Sequence, residues 1–105
     1  MNESIALTES TYYILLALYT PQHGYGIMQT VERLSAGRVH LAAGTLYGAL
    51  NALCGKGWIQ PLPQTDSRKK EYRLTDRGVA VLKAELDRLR QLVAGGEAIM
   101  KEEAV

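Results

Sequence analysis

A group of hydrogen-bonding side chains recurs at helical spacing between positions 43 and 56. Leu46, Leu50 and Leu53 form an apolar i, i+4, i+7 stripe, which predicts a helix with this stripe toward a core. An asparagine amide can bond to N6 and N7 of adenine, and hydroxyl groups can reach phosphate oxygens. The side chains on the opposite face can therefore recognise a partner through hydrogen bonds. That face carries Gly44, Thr45, Tyr47, Gly48, Asn51 and Ala52.

Positive charge is concentrated in the middle third of the chain, although the net charge is only +1. Residues 38–73 hold six basic and two acidic side chains, whereas the segments before and after them are both net negative. Arg68, Lys69 and Lys70 follow one another at the tip of a predicted hairpin. This distribution favours a localised phosphate-facing surface, but an ordinary solvated loop would have the same composition.

No arrangement of residues in the sequence is typical of an enzyme or a metal site. The sequence has no nucleophile beside a base, no paired carboxylates at an obvious site and no cluster of metal ligands. His23 and His40 lack partners at ligand spacing, so we expect them in capping or turn roles. We therefore predict a protein without catalytic activity, cofactor or metal.

Length and composition predict one compact unit in the cytoplasm. The chain has 105 residues, of which 47% are hydrophobic and 22% are charged, as in an average single domain. Its one cysteine, Cys54, is expected to be a small buried side chain in a reducing compartment. The N-terminus lacks the basic region of a secretory signal, and no apolar run approaches the ~20 residues of a membrane helix.

Hydrophobic periodicity and turn residues predict four helices and a hairpin. The helix that follows the hairpin should be capped by Thr75 and should kink or fray at the Gly95-Gly96 pair. This order is that of a mostly α (α+β) chain, with a winged helix-turn-helix in residues 1–75 and an appended helix in residues 76–105. The predicted elements are helices at 8–19, 25–35 and 43–56, strands at 58–63 and 68–74, and a helix from 76 to about 101.

The last predicted helix carries a heptad-like apolar seam. About 25 helical residues at 1.5 Å each span roughly 38 Å, which is more than the rest of so short a chain can cover. The first helix is apolar on nearly every face and would also need a second cover. We therefore predict a homodimer. Its predicted interface residues are Tyr12, Leu16, Leu82, Leu86, Leu89 and Val93.

Four motifs in register resemble the PadR family of bacterial regulators, over roughly residues 8–90. They are HGYGI at 23–27, GTLYGAL at 44–50, GKGWI at 55–59 and RKKEYRLTDRG at 68–78. The resemblance implies a winged-helix fold, a dimer formed by the last helix with help from the first, and repression of a nearby operon. The chain differs from the family at Gly48, where proline is common. It also has no aromatic residue after Tyr72, unlike members that bind flat aromatic effectors between subunits.

The leading hypothesis is therefore a homodimeric repressor that binds double-stranded DNA at a pseudo-palindromic operator. The sequence leaves open whether a small-molecule effector binds. The alternative hypothesis is a winged-helix module that binds proteins and not DNA. Tyr25, between two glycines, either packs against the turn or contacts a phosphate. The basic residues of the hairpin would lie along the flanking backbone or in the minor groove. The predicted DNA-facing residues of the third helix are Gly44, Thr45, Tyr47, Gly48 and Asn51, and those outside it are Tyr25, Arg68, Lys69 and Lys70.

Overall fold

The computed structural model describes residues 6–63 and 69–103. Its elements are α1 (Glu9–Ala17), β1 (Gln22–His23), α2 (Gly24–Leu34), α3 (Ala43–Gly55), β2 (Ile59–Pro61), β3 (Glu71–Leu74) and α4 (Asp76–Glu103). The four predicted helices and both hairpin strands are present. The strands are shorter than predicted, and for β2 the reason is that Pro61 and Pro63 have no N–H group to donate to a neighbouring strand.

Strand β1 adds a third member to the sheet, in a segment between the first two helices where the sequence predicts no strand. The strand order is β1-β3-β2 and both pairings are antiparallel, with Gln22 opposite Tyr72 and Ile59 opposite Leu74. A strand of two residues is too short to show the period-two alternation by which strands are predicted. Its consequence is that the segment before α2 is held against the hairpin.

The helices and the sheet enclose one core. The predicted stripe of α3 is confirmed, because Leu46 and Leu50 are 0% exposed and Leu53 is 4% exposed. Trp58 and Tyr72 close the core on the side of the hairpin. Burial of so much apolar surface is what holds α3 rigidly in place. The other core residues are Ile14, Leu15, Ala17, Leu18, Ile27, Val31, Ile59 and Leu82.

The turn between α2 and α3 is fixed by one buried hydroxyl. Ser35 is 4% exposed, and its Oγ accepts a hydrogen bond from the Val39 N–H at 3.0 Å. The next two residues are in the left-handed region, with φ of 53° at Ala36 and 82° at Gly37. Glycine adopts this conformation without steric cost, which accounts for Gly37 at this position.

Helix α4 begins in the core and ends far outside it. Thr75 is its cap as predicted, since its hydroxyl accepts from the Gly78 N–H at 3.0 Å. The helix is continuous from Asp76 to Glu103, so the predicted fraying at Gly95 and Gly96 is wrong. A kink at this pair stays a prediction. Two glycines, at about 1 kcal/mol each, do not outweigh the cooperativity of so long a helix. Within the described residues, no helix is both long and apolar enough to span a membrane.

These elements form the predicted fold. Helices α2 and α3 make a helix-turn-helix, and β2 and β3 make the hairpin wing beside it. The chain is mostly helical with a small three-stranded sheet, and α4 is the appended helix. It is a winged helix-turn-helix.

Candidate nucleic-acid interface

The face of α3 opposite its buried stripe is open. The residues predicted to face DNA on this helix are all exposed, and we call them the outer face of α3: Gly44, Thr45, Tyr47, Gly48 and Asn51. A Cβ built on Gly44 or Gly48 would meet no atom within 4 Å. The described part of the protomer therefore leaves this face free for a partner.

Tyr47 leans from the outer face of α3 onto the first turn of α2. Its side chain is 48% exposed, yet its hydroxyl end lies against Gly24, which is buried. A Cβ built on Gly24 would lie 2.8 Å from Tyr47 Cζ, closer than such contacts occur. The absent side chain of Gly24 therefore makes room for the ring of Tyr47.

A cleft of about 430 Å³ lies between the start of α2, the outer face of α3 and the wing. Its two lysines bring positive charge to a cleft that the exposed phenols of Tyr25 and Tyr47 also line. Lys70 Nζ lies 5.8 Å from the centre of the buried Tyr72 ring. We call it the wing cleft. Its lining residues are His23, Gly24, Tyr25, Tyr47, Lys69, Lys70 and Tyr72.

Two groups at the wing cleft, the Cys54 thiol and the Tyr72 phenol, have raised pKa values. Burial raises the pKa of the Cys54 thiol, and the nearby charge of Lys70 opposes this rise only in part. Burial also raises the pKa of the Tyr72 phenol, with smaller contributions from Cys54 and Tyr47. Both groups are therefore uncharged at neutral pH, and Lys69 and Lys70 bring positive charge to the lining of the wing cleft.

The remaining predicted contact residues are placed as follows. Tyr25 is 63% exposed at the start of α2, in the wing cleft. Lys69 and Lys70 are exposed just before β3. Arg68 lies outside the described residues. Sequence reasoning missed Gly24, and its only signal is that a glycine precedes Tyr25 in the HGYGI motif.

The two histidines have local roles. His23 caps α2, because its Nδ1 accepts from the Gly26 N–H at 3.1 Å. His40 Nδ1 lies 2.6 Å from a carboxylate oxygen of Glu32 across the turn before α3. The described residues contain no group of three side chains that could hold a metal ion.

The residues predicted for a dimer interface differ in how much of their surface is exposed. Leu82 is 3% exposed within the core of its own protomer, so it has little surface left for a partner. Tyr12, Leu16 and Leu89 are half-buried. Leu86 and Val93 are exposed, and together with half-buried Leu89 they lie on an apolar strip along the outer part of α4, which we call the α4 seam. It consists of Leu86, Leu89, Leu92, Val93, Ile99 and Met100.

The α4 seam begins beside an ion pair whose carboxylate is buried and whose guanidinium is partly exposed. Glu85 is 2% exposed, and its carboxylate accepts from Arg88 Nε at 2.7 Å and from Arg88 Nη2 at 2.8 Å. It also accepts from the Leu7 N–H at 3.1 Å. The Arg88 guanidinium lowers the pKa of Glu85, with a smaller effect in the same direction from the Leu7 N–H. The pair thus holds the segment before α1 on α4.

Comparison with known proteins places the chain in a family. The model of the transcriptional regulator PadR-like family matches residues 14–84. A PadR family transcription regulator from Clostridium difficile R20291 has a similar structure, with a TM-score of 0.72 and 21% identity over 89% of this chain and 99% of that one. RosR from H. salinarum is also similar, with a TM-score of 0.67 and 25% identity over 97% of both chains.

A curated relative is similar to this chain over a small part of its own length. An uncharacterised 37.1 kDa protein in transposon TN4556 of Streptomyces fradiae is 36% identical over 72 residues. The match covers 69% of this chain but only 20% of that protein. The family match covers more than half of the chain and includes the helix-turn-helix and the wing. The chain belongs to the PadR-like family of transcriptional regulators.

Proposed function

We propose that this protein is a homodimeric, sequence-specific DNA-binding regulator that acts in the cytoplasm as a repressor at a pseudo-palindromic operator. The observation that carries the proposal is the open outer face of α3, which the wing lysines flank. This surface offers hydrogen-bond donors and acceptors in the centre and positive charge at the side.

The dimensions of α3 suit the major groove. An α-helix fits into a groove about 12 Å wide, and the small residues Gly44 and Gly48 let the backbone approach closely. Thr45 and Asn51 lie six residues apart, so roughly 9 Å of helix separates them, about the rise of three base pairs. In this position Asn51 reads a base edge, with adenine as the favoured partner.

The wing cleft supplies contacts of a different kind. Lys69, Lys70 and the exposed Tyr25 can donate to phosphate oxygens, which position the protein but carry no sequence information. Lysine contacts to phosphates release counterions, so affinity should fall steeply as the salt concentration rises.

The α4 seam supports the homodimer. Leu92, Val93, Ile99 and Met100 are each between 58% and 69% exposed in the single protomer. So many large apolar side chains along one helix are typical of a surface that meets a partner. A second copy presents the same seam in a symmetric pair, and two copies of α3 would then reach half-sites about one helical turn, roughly 34 Å, apart.

Selection of random duplexes on the purified protein tests the proposal. We expect enrichment of a sequence with two inverted half-sites separated by about one helical turn. The Lys69→Ala/Lys70→Ala double variant should retain less DNA in every round of selection. The Gln91→Ala variant serves as a matched surface control. If the wild-type protein enriches no sequence and protects no DNA in footprinting, the winged-helix module that binds proteins becomes the better interpretation.

A further inference from the structure

Gly24 and Tyr47 lie together at the point where three elements of the proposed DNA surface meet. Gly24 is the first residue of α2, Tyr47 belongs to α3, and the cleft that they line also contains the wing lysines. The φ angle of Gly24 is not in the left-handed region, so its backbone conformation is open to any residue. What the position requires is space, since a Cβ there would lie 2.8 Å from Tyr47 Cζ.

We propose that Gly24 is a positioning residue that directs the Tyr47 hydroxyl to a phosphate of the DNA backbone and away from the base edges. The inference rests on the proposed function. Without a side chain at Gly24, the hydroxyl end of the phenol ring lies against the first turn of α2, on the wall of the wing cleft.

The surroundings of the hydroxyl favour an anionic partner. The start of an 11-residue helix carries a partial positive charge, and Lys69 and Lys70 add two full charges to the same cleft. A tyrosine hydroxyl donates readily to a phosphate oxygen, and such a contact fixes register on the duplex. Asn51, one helical turn further along α3, is left as the residue that reads a base.

A double-mutant cycle on DNA affinity tests the inference. Gly24→Ala displaces the ring, Tyr47→Phe removes the hydroxyl, and Tyr47→Ala removes the ring that Gly24 accommodates. Gly55→Ala is the matched control, because a Cβ there meets no atom within 4 Å. Affinities are measured by fluorescence anisotropy on the selected operator, on an unrelated duplex and on operators with single base-pair changes. Melting temperatures show whether each variant is folded.

We expect Gly24→Ala and Tyr47→Phe each to weaken binding roughly tenfold, by the same factor on every duplex. Gly24→Ala should change affinity by less than twofold in the Tyr47→Ala background, and Gly55→Ala should bind as the wild type does. The slope of affinity against salt should stay unchanged in these variants, because none of them removes a charge.

Three results would overturn the inference and leave the proposed function intact. The first is a folded Gly24→Ala variant with wild-type affinity. The second is a Gly24→Ala/Tyr47→Ala double variant whose loss of affinity is the product of the two single losses. The third is a loss of affinity that depends on the identity of one base pair. If the wild-type protein binds neither duplex, the proposed function fails and the inference fails with it.

Discussion

Gly78 of α4 lies in direct contact with the backbone carbonyl of Trp58, at the junction between the wing and the long helix. A Cβ built on Gly78 would lie 2.9 Å from the carbonyl carbon of Trp58 and 3.1 Å from Leu74 Cδ2. The Thr75 N–H donates to the Trp58 carbonyl oxygen at 3.0 Å, so the residue that caps α4 is hydrogen-bonded to the same carbonyl. This contact joins the wing to the helix that carries the apolar seam.

Gly78→Ala should therefore destabilise the protein by about 1–3 kcal/mol, because the added methyl forces the backbone of α4 away from the wing. The free energy of unfolding in urea, at a fixed protein concentration, measures the effect. Gly48→Ala is the control: it is also inside a helix, but its Cβ meets no atom within 4 Å. It should stabilise the fold by about 0.5–1 kcal/mol. Equal stability of the Gly78→Ala variant and the wild type would contradict the close contact.

The elements with a strong periodic pattern could be predicted from the sequence. The stripe of Leu46, Leu50 and Leu53 predicts α3, and the structure confirms it, because burial of one helical face leaves a regular signal. Strand β1 has no such signal, since its two residues join the sheet only through pairing with β3. Its existence depends on contacts between segments that are distant in the sequence.

The sequence was enough to predict which residues of the candidate site are exposed, but not which of them touch one another. Exposure of Thr45 and Asn51 follows from their position opposite the leucine stripe. The approach of Tyr47 to Gly24 depends on how α2 and α3 pack, and no spacing rule gives that distance. Burial of Glu85 was unexpected for a similar reason, since a glutamate in a helix is usually solvated.

The buried Glu85 should make stability depend on pH. Because the pKa of Glu85 is lowered in the folded protein, its carboxylate stabilises the fold above the ordinary pKa of 4.5. This contribution is lost as the pH falls through the lower folded pKa. Glu85→Gln should therefore be less stable than the wild type at pH 7 by about 1–3 kcal/mol, and the difference should shrink in acid.

Urea unfolding at pH 7 and at a series of values below 4.5 checks this expectation. Glu97→Gln changes an exposed carboxylate of the same helix and serves as the control. A deficit of Glu85→Gln that stayed constant over the whole range would mean that the Arg88 pair does not lower the pKa of this group.

The α4 seam can be tested without disturbing the core. Leu92 and Val93 are each 58% exposed in the protomer, so Leu92→Asp with Val93→Asp should leave the single chain folded. In a dimer the two aspartates would bury unpaired charge, and the protein should sediment as a monomer of 11.6 kDa. Leu86→Asp with Leu89→Asp should have the same effect, although half-buried Leu89 makes this pair less selective.

The matched control places two aspartates on the other side of the same helix. By helical geometry Gln91 and Ala94 lie opposite the seam, and both are exposed. Gln91→Asp with Ala94→Asp should keep the dimer. A dimer that survives the changes at Leu92 and Val93, or one that is lost equally in both double variants, would remove the seam from the interface.

Mutations in the outer face of α3 and in the wing should both weaken DNA binding, but with different dependence on DNA sequence and on salt. Asn51→Ala removes a bidentate contact to one base, so it should cost about 1–3 kcal/mol on the preferred operator and relax the choice at one base pair. Lys70→Ala removes a phosphate contact, so it should weaken binding to all duplexes alike. It should also reduce the slope of log affinity against log salt by about 1.

Anisotropy titrations at several salt concentrations, with the selected operator and its single base-pair variants, separate these two signatures. Thr30→Ala, on α2 and outside the wing cleft, is the control and should change neither specificity nor slope. If Asn51→Ala weakened all duplexes equally, α3 would not be reading bases in the major groove. If Lys70→Ala left the salt slope unchanged, the wing cleft would lie away from the phosphates, because a lysine that releases no counterion on binding does not contact the DNA backbone.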